Sequence, residues 1–304
     1  MGDVVVDIDP ACRSWSEQFS WQTEGGDKEM ETLFFDDIKK LIGSCGTGPL
    51  WVHSGLSRVT KAIRPTADRQ EFLNRHLDTL TSAADGRNIW FPAFNYGFPR
   101  SRTFDVPSAA SEVGALSEHA RTRWASWRTA VPVFSACGRG ERPEIAESGT
   151  IDPFGDDSIF ARLIGADGAL VFYGAPFHSI TLIHHVERLS GGPVYRYDKT
   201  FAGTVTDGVN APREIVLNYH VRPMGRALDY DWPRLTADLT EAGVLREVRD
   251  EASVVLVMPA AALTRFWLSA MKTDPLYLLD AQSRSWAAPM FERLGRRFRL
   301  EDFE

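Results

Sequence analysis

The chain reads as an α/β protein: a central mixed, largely parallel sheet with flanking helices and a small antiparallel or helical subdomain. Two observations predict this. Short apolar runs in "GTGPLWVHSGLS", "NIWFPAFNY" and "ALVFYGAP" have the length and bounding turn residues of buried strands, and they alternate with longer segments of helical period. That alternation favours a substantially parallel sheet covered by helices. From about Tyr195 to Tyr219 the pattern turns strand-like and aromatic, which predicts an antiparallel hairpin. With 304 residues, of which 43% are hydrophobic, the chain can bury one large core. Residues 1–31 read as a polar arm and 32–304 as a single domain, with a C-terminal portion over 226–304.

The elements follow in order. A helix is predicted over 31–43, with Leu33, Ile38, Leu41 and Ile42 on its apolar face. A buried strand then ends near His53. Asp68 is placed to cap a helix over 68–84. "NIWFPAFNY" gives a strand bounded by Gly86 and Pro92. "SAASEVGALSEHARTR" (108–123) reads as one helix whose acidic start and basic end suit the macrodipole. "TAVPVFSACG" is a short strand, and "DDSIFARLIGADG" is a helix closed by Gly165. After the strand "ALVFYGAP", the segment "SITLIHHVERLSGG" is a helix ending at Gly191 and Gly192.

Composition removes several function classes. The net charge of −7 argues against a nucleic-acid binder, whose phosphate contacts need an excess of Lys and Arg. Cys12, Cys45 and Cys137 are odd in number and widely spaced, as ordinary thiols are in a reducing compartment. No apolar run is long enough to span a bilayer, so a cytoplasmic protein with no membrane partner is expected. P-loop, dinucleotide fingerprint, HExxH, paired CxxC and GxSxG patterns are missing, so no metal is expected. What remains is chemistry that needs a positioned base.

The segment "FHSITLIHHVERL" (177–189) supplies one. On a helix, residues three apart share a face. His184 then has Thr181 before it and Glu187 after it, whereas His185 is followed by Arg188 and Leu189. A carboxylate can hold one imidazole nitrogen protonated and stabilise the cation formed when the other takes a proton. Thr181, His184 and Glu187 therefore form a row of hydroxyl donor, general base and orienter. His185 and His178 read as structural or substrate-lining.

Four ordered motifs widen the argument: "LWVHSGLS" (50–57), "SEVGALSE" (111–118), "DDSIFARL" (156–163) and "GAPFHSITLIHHVE" (174–187). Together they resemble the aminoglycoside 3-N-acetyltransferase-like family over roughly residues 33–225. The resemblance implies that family's own α/β fold. It also implies transfer of an acyl group, acetyl or another, from acyl-CoA to a primary amine by direct attack. His184 takes the place of general base, Glu187 of its partner, and Thr181 stands near the thioester carbonyl. The residues matching the cofactor-arm segment are His53, Ser54, Gly55, Leu56 and Ser57. Gly55 departs from the serine usual there. An acyl carrier protein is an alternative donor, and a homodimer is left open.

The acceptor is a small-molecule amine. Arg196, Lys199 and Arg222 suit a diphosphate-bearing, nucleotide-linked amino sugar of a biosynthetic pathway. Asp105 and Glu112 would instead serve a polycationic aminoglycoside, the alternative acceptor. A non-catalytic member that only binds CoA or a sugar is the reading from another class. The basic stretch favours the nucleotide-linked sugar.

Overall fold

The computed structural model describes residues 28–59, 63, 66–250 and 253–304, with side chains from Phe34 onward. The expected arm over 1–31, apart from the helix backbone from Lys28, lies outside the described residues, as do Cys12 and the side chain of Leu33.

Eleven strands are described: β1 (Leu50–Ser54), β2 (Ile89–Pro92), β3 (Thr103–Asp105), β4 (Trp127–Arg128), β5 (Ala136–Gly138), β6 (Gly149–Ile151), β7 (Ala169–Tyr173), β8 (Tyr197–Thr206), β9 (Arg213–Val221), β10 (Arg246–Arg249) and β11 (Val254–Pro259). The helices are α1 (Lys28–Gly43), α2 (Arg69–Ala84), α3 (Phe98–Ser101), α4 (Ala115–His119), α5 (Ile159–Gly165), α6 (Leu182–Leu189), α7 (Trp232–Glu241), α8 (Ala260–Thr273) and α9 (Ala281–Leu294).

A seven-stranded mixed sheet runs β10-β11-β7-β1-β2-β5-β4. Parallel pairing is confined to its centre, β7-β1-β2, and the outer pairs are antiparallel. The sheet is thus less parallel than the strand and helix alternation suggests, because β11 and β5 return beside their neighbours in the opposite sense. A second sheet, β3-β8-β9-β6, is built on the antiparallel hairpin β8-β9 that the aromatic stretch announces. The C-terminal portion supplies β10 and β11 to the large sheet.

Period-two alternation along the central strands sorts the core into two faces. Leu50, Val52, Ile89, Phe91, Val171 and Tyr173 pack with Ile38, Ile42, Leu73 and Leu77 of α1 and α2. Trp51, Trp90, Leu170 and Phe172 face the other way, onto Phe160 and Leu163 of α5, Leu182 and Val186 of α6, and Leu263 and Trp267 of α8. The sheet is therefore covered on both sides. β1 sits between β2 and β7, with β2 next in the chain and β7 reached only after β3, β4, β5 and β6. The carboxyl ends of such strands bound a crevice where α/β sheets place ligands.

Two local predictions resolve differently. Asp68 does cap α2, accepting from the amides of Gln70 and Glu71. The helix expected over 108–123 is only α4, continued by a wider turn over Ala120–Trp124. Gly114, at φ 113°, interrupts any helix that would reach back to Ser108. Glu118 folds back to accept from the Ser111 amide and pairs with Arg121.

One staple joins the C-terminus to the loop before β8. The Arg297 guanidinium grips the Asp198 carboxylate at 2.9 and 3.0 Å, and its Nε donates to the carbonyls of Pro193 and Arg196 at 3.2 Å. Gly192, at φ +89°, leaves room for it: a Cβ there would come within 2.7 Å of Arg297 Nη1. Asp198 also takes Arg188 of α6 at 3.1 Å. Because charge-assisted bonds to backbone are lost together, Arg297→Ala should lower unfolding stability by about 1.5–3 kcal/mol. Urea unfolding checks this, and an unchanged midpoint would reduce Arg297 to a surface cation.

Candidate active site

On α6, His184 and Glu187 meet at the three-residue spacing, with Glu187 buried. Leu182, Ile183 and Val186 anchor the helix in the core, and the adjacent face turns toward β9 and the loop before α7. Thr181 stands at the N-cap, so the helix begins later than "SITLIHH" suggests. His184 Nδ1 lies 2.8 Å from Glu187 Oε2, with the imidazole a quarter exposed and the carboxylate fully buried. The Thr181 hydroxyl has only a long contact, 3.5 Å, to the Ser179 carbonyl.

Glu187 is the hub. Its Oε2 also receives His220 Nε2 of β9 at 2.9 Å. Its Oε1 accepts from the hydroxyls of Tyr195 at 2.8 Å and Tyr230 at 2.7 Å, with Arg196 Nε at 3.4 Å. A buried carboxylate without partners would be neutral, since burial raises its pKa. Here burial is outweighed by the Arg196 charge and by the bonds from His184 and His220, and the pKa is held well below the usual carboxylate range. Tyr195 and Tyr230 go the other way, pushed well above their ordinary values, so they act as donors.

With Glu187 ionised, His184 donates from Nδ1 and keeps a lone pair on Nε2. Burial pushes its pKa below the ordinary value. Glu187 opposes this, while Arg196 and Arg222 add to it. The imidazole is therefore neutral near pH 7, the state a base requires. Phe154 packs at 5.1 Å and Tyr230 at 6.4 Å between ring centroids.

The other predicted residues divide. Ser54 and Gly55 end β1 at the crevice, and the turn Leu56–Arg58, which includes Ser57, follows. Gly55 has a physical reason to differ from serine: a Cβ there would meet the Gly174 carbonyl oxygen at 2.7 Å. His53 is a correction. It is buried on the sheet face, accepts from Trp51 Nε1 at 3.1 Å and stacks on Phe172, so its side chain is closed to a cofactor. His185 bonds the Phe154 carbonyl at 2.8 Å from a buried position, and His178 is exposed beside Trp232.

The acceptor residues need larger corrections. Arg196 is buried and spent on Glu187 and the Tyr230 hydroxyl. Lys199 pairs with Glu304. Asp105 is used locally, accepting from Ser108 and Thr206. Glu112 is exposed and accepts from the Tyr96 amide at 3.1 Å. Arg222 is exposed and near enough to His184 to act on it. Two of the three cations that favoured a diphosphate-bearing acceptor are thus committed elsewhere. Tyr195, His220 and Tyr230 escaped the sequence analysis. They join Glu187 from 8, 33 and 43 residues away, and no helical or strand period links such positions.

Two predictions follow from this packing. Burial lowers His53 to about 3 and His76 and His220 to about 4, below the ordinary 6.5. Each therefore favours folding fully above about pH 6.5, and that contribution is lost as pH falls toward the folded pKa values. Unfolding at pH 5 should take up about three more protons than at pH 8, measurable as the pH slope of urea stability. A flat slope between pH 5 and 7 would contradict it. Glu187→Gln should cost about 3–5 kcal/mol, because Arg196 is left as an uncompensated buried charge. Restored stability in Glu187→Gln with Arg196→Met is the companion result, and an undiminished single variant would refute the hub.

Comparison with known proteins places the chain. The family model for aminoglycoside 3-N-acetyltransferase matches residues 77–272. Aminoglycoside N(3)-acetyltransferase VIII of Streptomyces fradiae is 31% identical over 140 residues, 44% of this chain and 48% of that protein. Aminoglycoside N(3)-acetyltransferase VII of Streptomyces paromomycinus is 36% identical over 86 residues, 28% of this chain and 30% of that protein. The matched stretches thus span half or less of these relatives. Among solved structures, AAC-IIIb in binary complex with CoASH superposes with a TM-score of 0.60 at 19% identity, covering 79% of this chain and 96% of that one. The apoenzyme of aminoglycoside acetyltransferase AAC(3)-IVa superposes with a TM-score of 0.61 at 18% identity, covering 90% and 99%. The expected fold is thereby shown, and the chain belongs to the aminoglycoside 3-N-acetyltransferase family.

Proposed function

We propose that this chain transfers an acetyl group from acetyl-CoA to an amine of an aminoglycoside, with His184 as general base. The observation that carries the reading is the His184–Glu187 pair: a neutral, partly exposed imidazole on a buried, ionised carboxylate. Family membership gives the reaction class. The acceptor reading is supported by both Streptomyces relatives and by a neighbouring AAC(3)-IVa variant solved with apramycin, of TM-score 0.60 at 17% identity. The nucleotide-linked amino sugar loses its support, since Arg196 and Lys199 already have partners.

In this reaction the amine nitrogen attacks the thioester carbon while His184 Nε2 takes its proton. Glu187 stabilises the imidazolium, which is general-base work worth about 10²–10⁴ in rate. The thioester oxygen gains charge and needs donors. Thr181, whose hydroxyl has only a weak contact, and the turn at Ser54–Ser57 take that role. The C–S bond then breaks, and the departing thiolate is protonated by the imidazolium. No step calls for a metal.

His184→Asn should lower kcat/KM by at least about a hundredfold, and His185→Asn far less. Release of CoA thiol with a panel of aminoglycosides and nucleotide-linked amino sugars reads both the rate and the acceptor. Turnover of nucleotide-linked sugars alone would overturn the aminoglycoside reading. Equal losses in the two variants would overturn the choice of base.

A further inference from the structure

Among the described residues, His184, Glu187 and His220 bring three metal-ligand atoms together. One ligand atom from each of the three lies within 4.8 Å of the others, and His184 Nδ1 and His220 Nε2 both contact Glu187 Oε2. We propose that this cluster is an inhibitory site for a borderline divalent cation, Zn²⁺ above all. Two imidazoles and a carboxylate form a donor set that zinc takes, with water or another ligand in the fourth position. The two nitrogens lie 2.8 and 2.9 Å from Oε2. A tetrahedral zinc spaces its ligand atoms by about 3.3 Å, so each N···Oε2 contact must open by about half an ångström while the two imidazole nitrogens settle to the same spacing from each other. The ligands come from elements packed against each other, and the quarter-exposed ring of His184 is the side of entry.

The chemistry explains why such an ion would inhibit rather than assist. In the hydrogen-bonded cluster, His184 carries its proton on Nδ1 and its lone pair on Nε2. A metal on Nδ1 takes the electron pair that held that proton, and the proton is transferred through water to Nε2. The neutral ring then presents an N–H where it must accept a proton. His220 changes in the same way, from Nε2–H to Nδ1–H, and no net proton is released. Two features limit affinity: the Arg196 guanidinium, 3.4 Å from the other carboxylate oxygen, and His220 Nδ1, which is buried without a protein partner. The cluster is thus a trap for zinc, weaker than a dedicated zinc site. The inhibition rests on His184 being the base, whereas the metal site does not.

Cobalt(II) tests the site without an activity assay, because a tetrahedral Co²⁺ with nitrogen ligands has intense visible bands. The chelator-stripped full chain should develop these bands on addition of Co²⁺ and lose them to Zn²⁺. His220→Ala should weaken the binding by at least about a hundredfold, beyond what loss of an outer partner does. His184→Ala, at the more exposed ligand, should do the same, and His185→Ala should leave the bands unchanged. Circular dichroism confirms that each variant is folded. In parallel, Zn²⁺ should suppress acetyl transfer toward the level of His184→Asn, with recovery on adding EDTA. Missing bands, or bands that survive both ligand substitutions, overturn the site. Bands without inhibition leave the site standing, overturn the tautomer lock, and count against His184 as the base.

Discussion

The buried carboxylate of Glu187 is the constraint around which the rest is arranged. An ion taken out of water costs several kcal/mol unless its lone pairs are met. Here both oxygens are met, Oε2 by two histidines and Oε1 by two tyrosines and an arginine. Those partners come from α6, the loop before β8, β9 and the loop before α7, so four separate stretches must arrive together. The Arg297 staple on Pro193–Asp198 makes sense in that light, because it fixes the loop that delivers Tyr195 and Arg196. A hydrophobic cluster of the same volume would fold at least as well. The arrangement is better understood as holding one imidazole in one tautomer.

That imidazole is under opposed pulls. Burial, Arg196 and Arg222 lower its pKa, and Glu187 raises it. The result is a base that is neutral before reaction yet sits on an anion that stabilises its cation afterwards. A base with too high a pKa would be protonated near pH 7, and one with too low a pKa would hold the proton poorly. Burial and the two arginines outweigh Glu187, so the net displacement of His184 is downward. Arg196 serves both sides of this balance, since it keeps Glu187 ionised and also opposes protonation of His184.

Much of this was legible in the sequence because it is local. Strand alternation, the Asp68 cap and the three-residue spacing of Thr181, His184 and Glu187 are short-range signals that the backbone period enforces. The partners on Glu187 are not, because tertiary approach alone sets them. Arg196 shows how this misleads. A basic residue among aromatics looks like a ligand contact, yet the same composition describes a cation buried against Tyr230 and Glu187. Lys199 and Asp105 pose the same problem, since a charge in sequence does not say which neighbour has already claimed it. Helix ends were also hidden where glycine geometry decides. Gly114 looks tolerable inside a helix until its φ of 113° is known. Gly55 looks like a departure from pattern until the Gly174 carbonyl is seen against it.

The remaining cation near the base, Arg222, fits a polycationic acceptor better than it first appears. Like charges repel, so an exposed arginine acting on His184 would be expected to weaken ammonium binding. The same repulsion, however, disfavours the charged form of an incoming amine and lowers its pKa. The reacting amine must lose a proton before it can attack, so a cation placed close to the base works toward reaction at that nitrogen. Ammonium groups elsewhere on the acceptor would need a carboxylate instead, and the exposed Glu112 offers one. A cation beside the base thus favours reaction at whichever amine of the proposed acceptor comes nearest to His184.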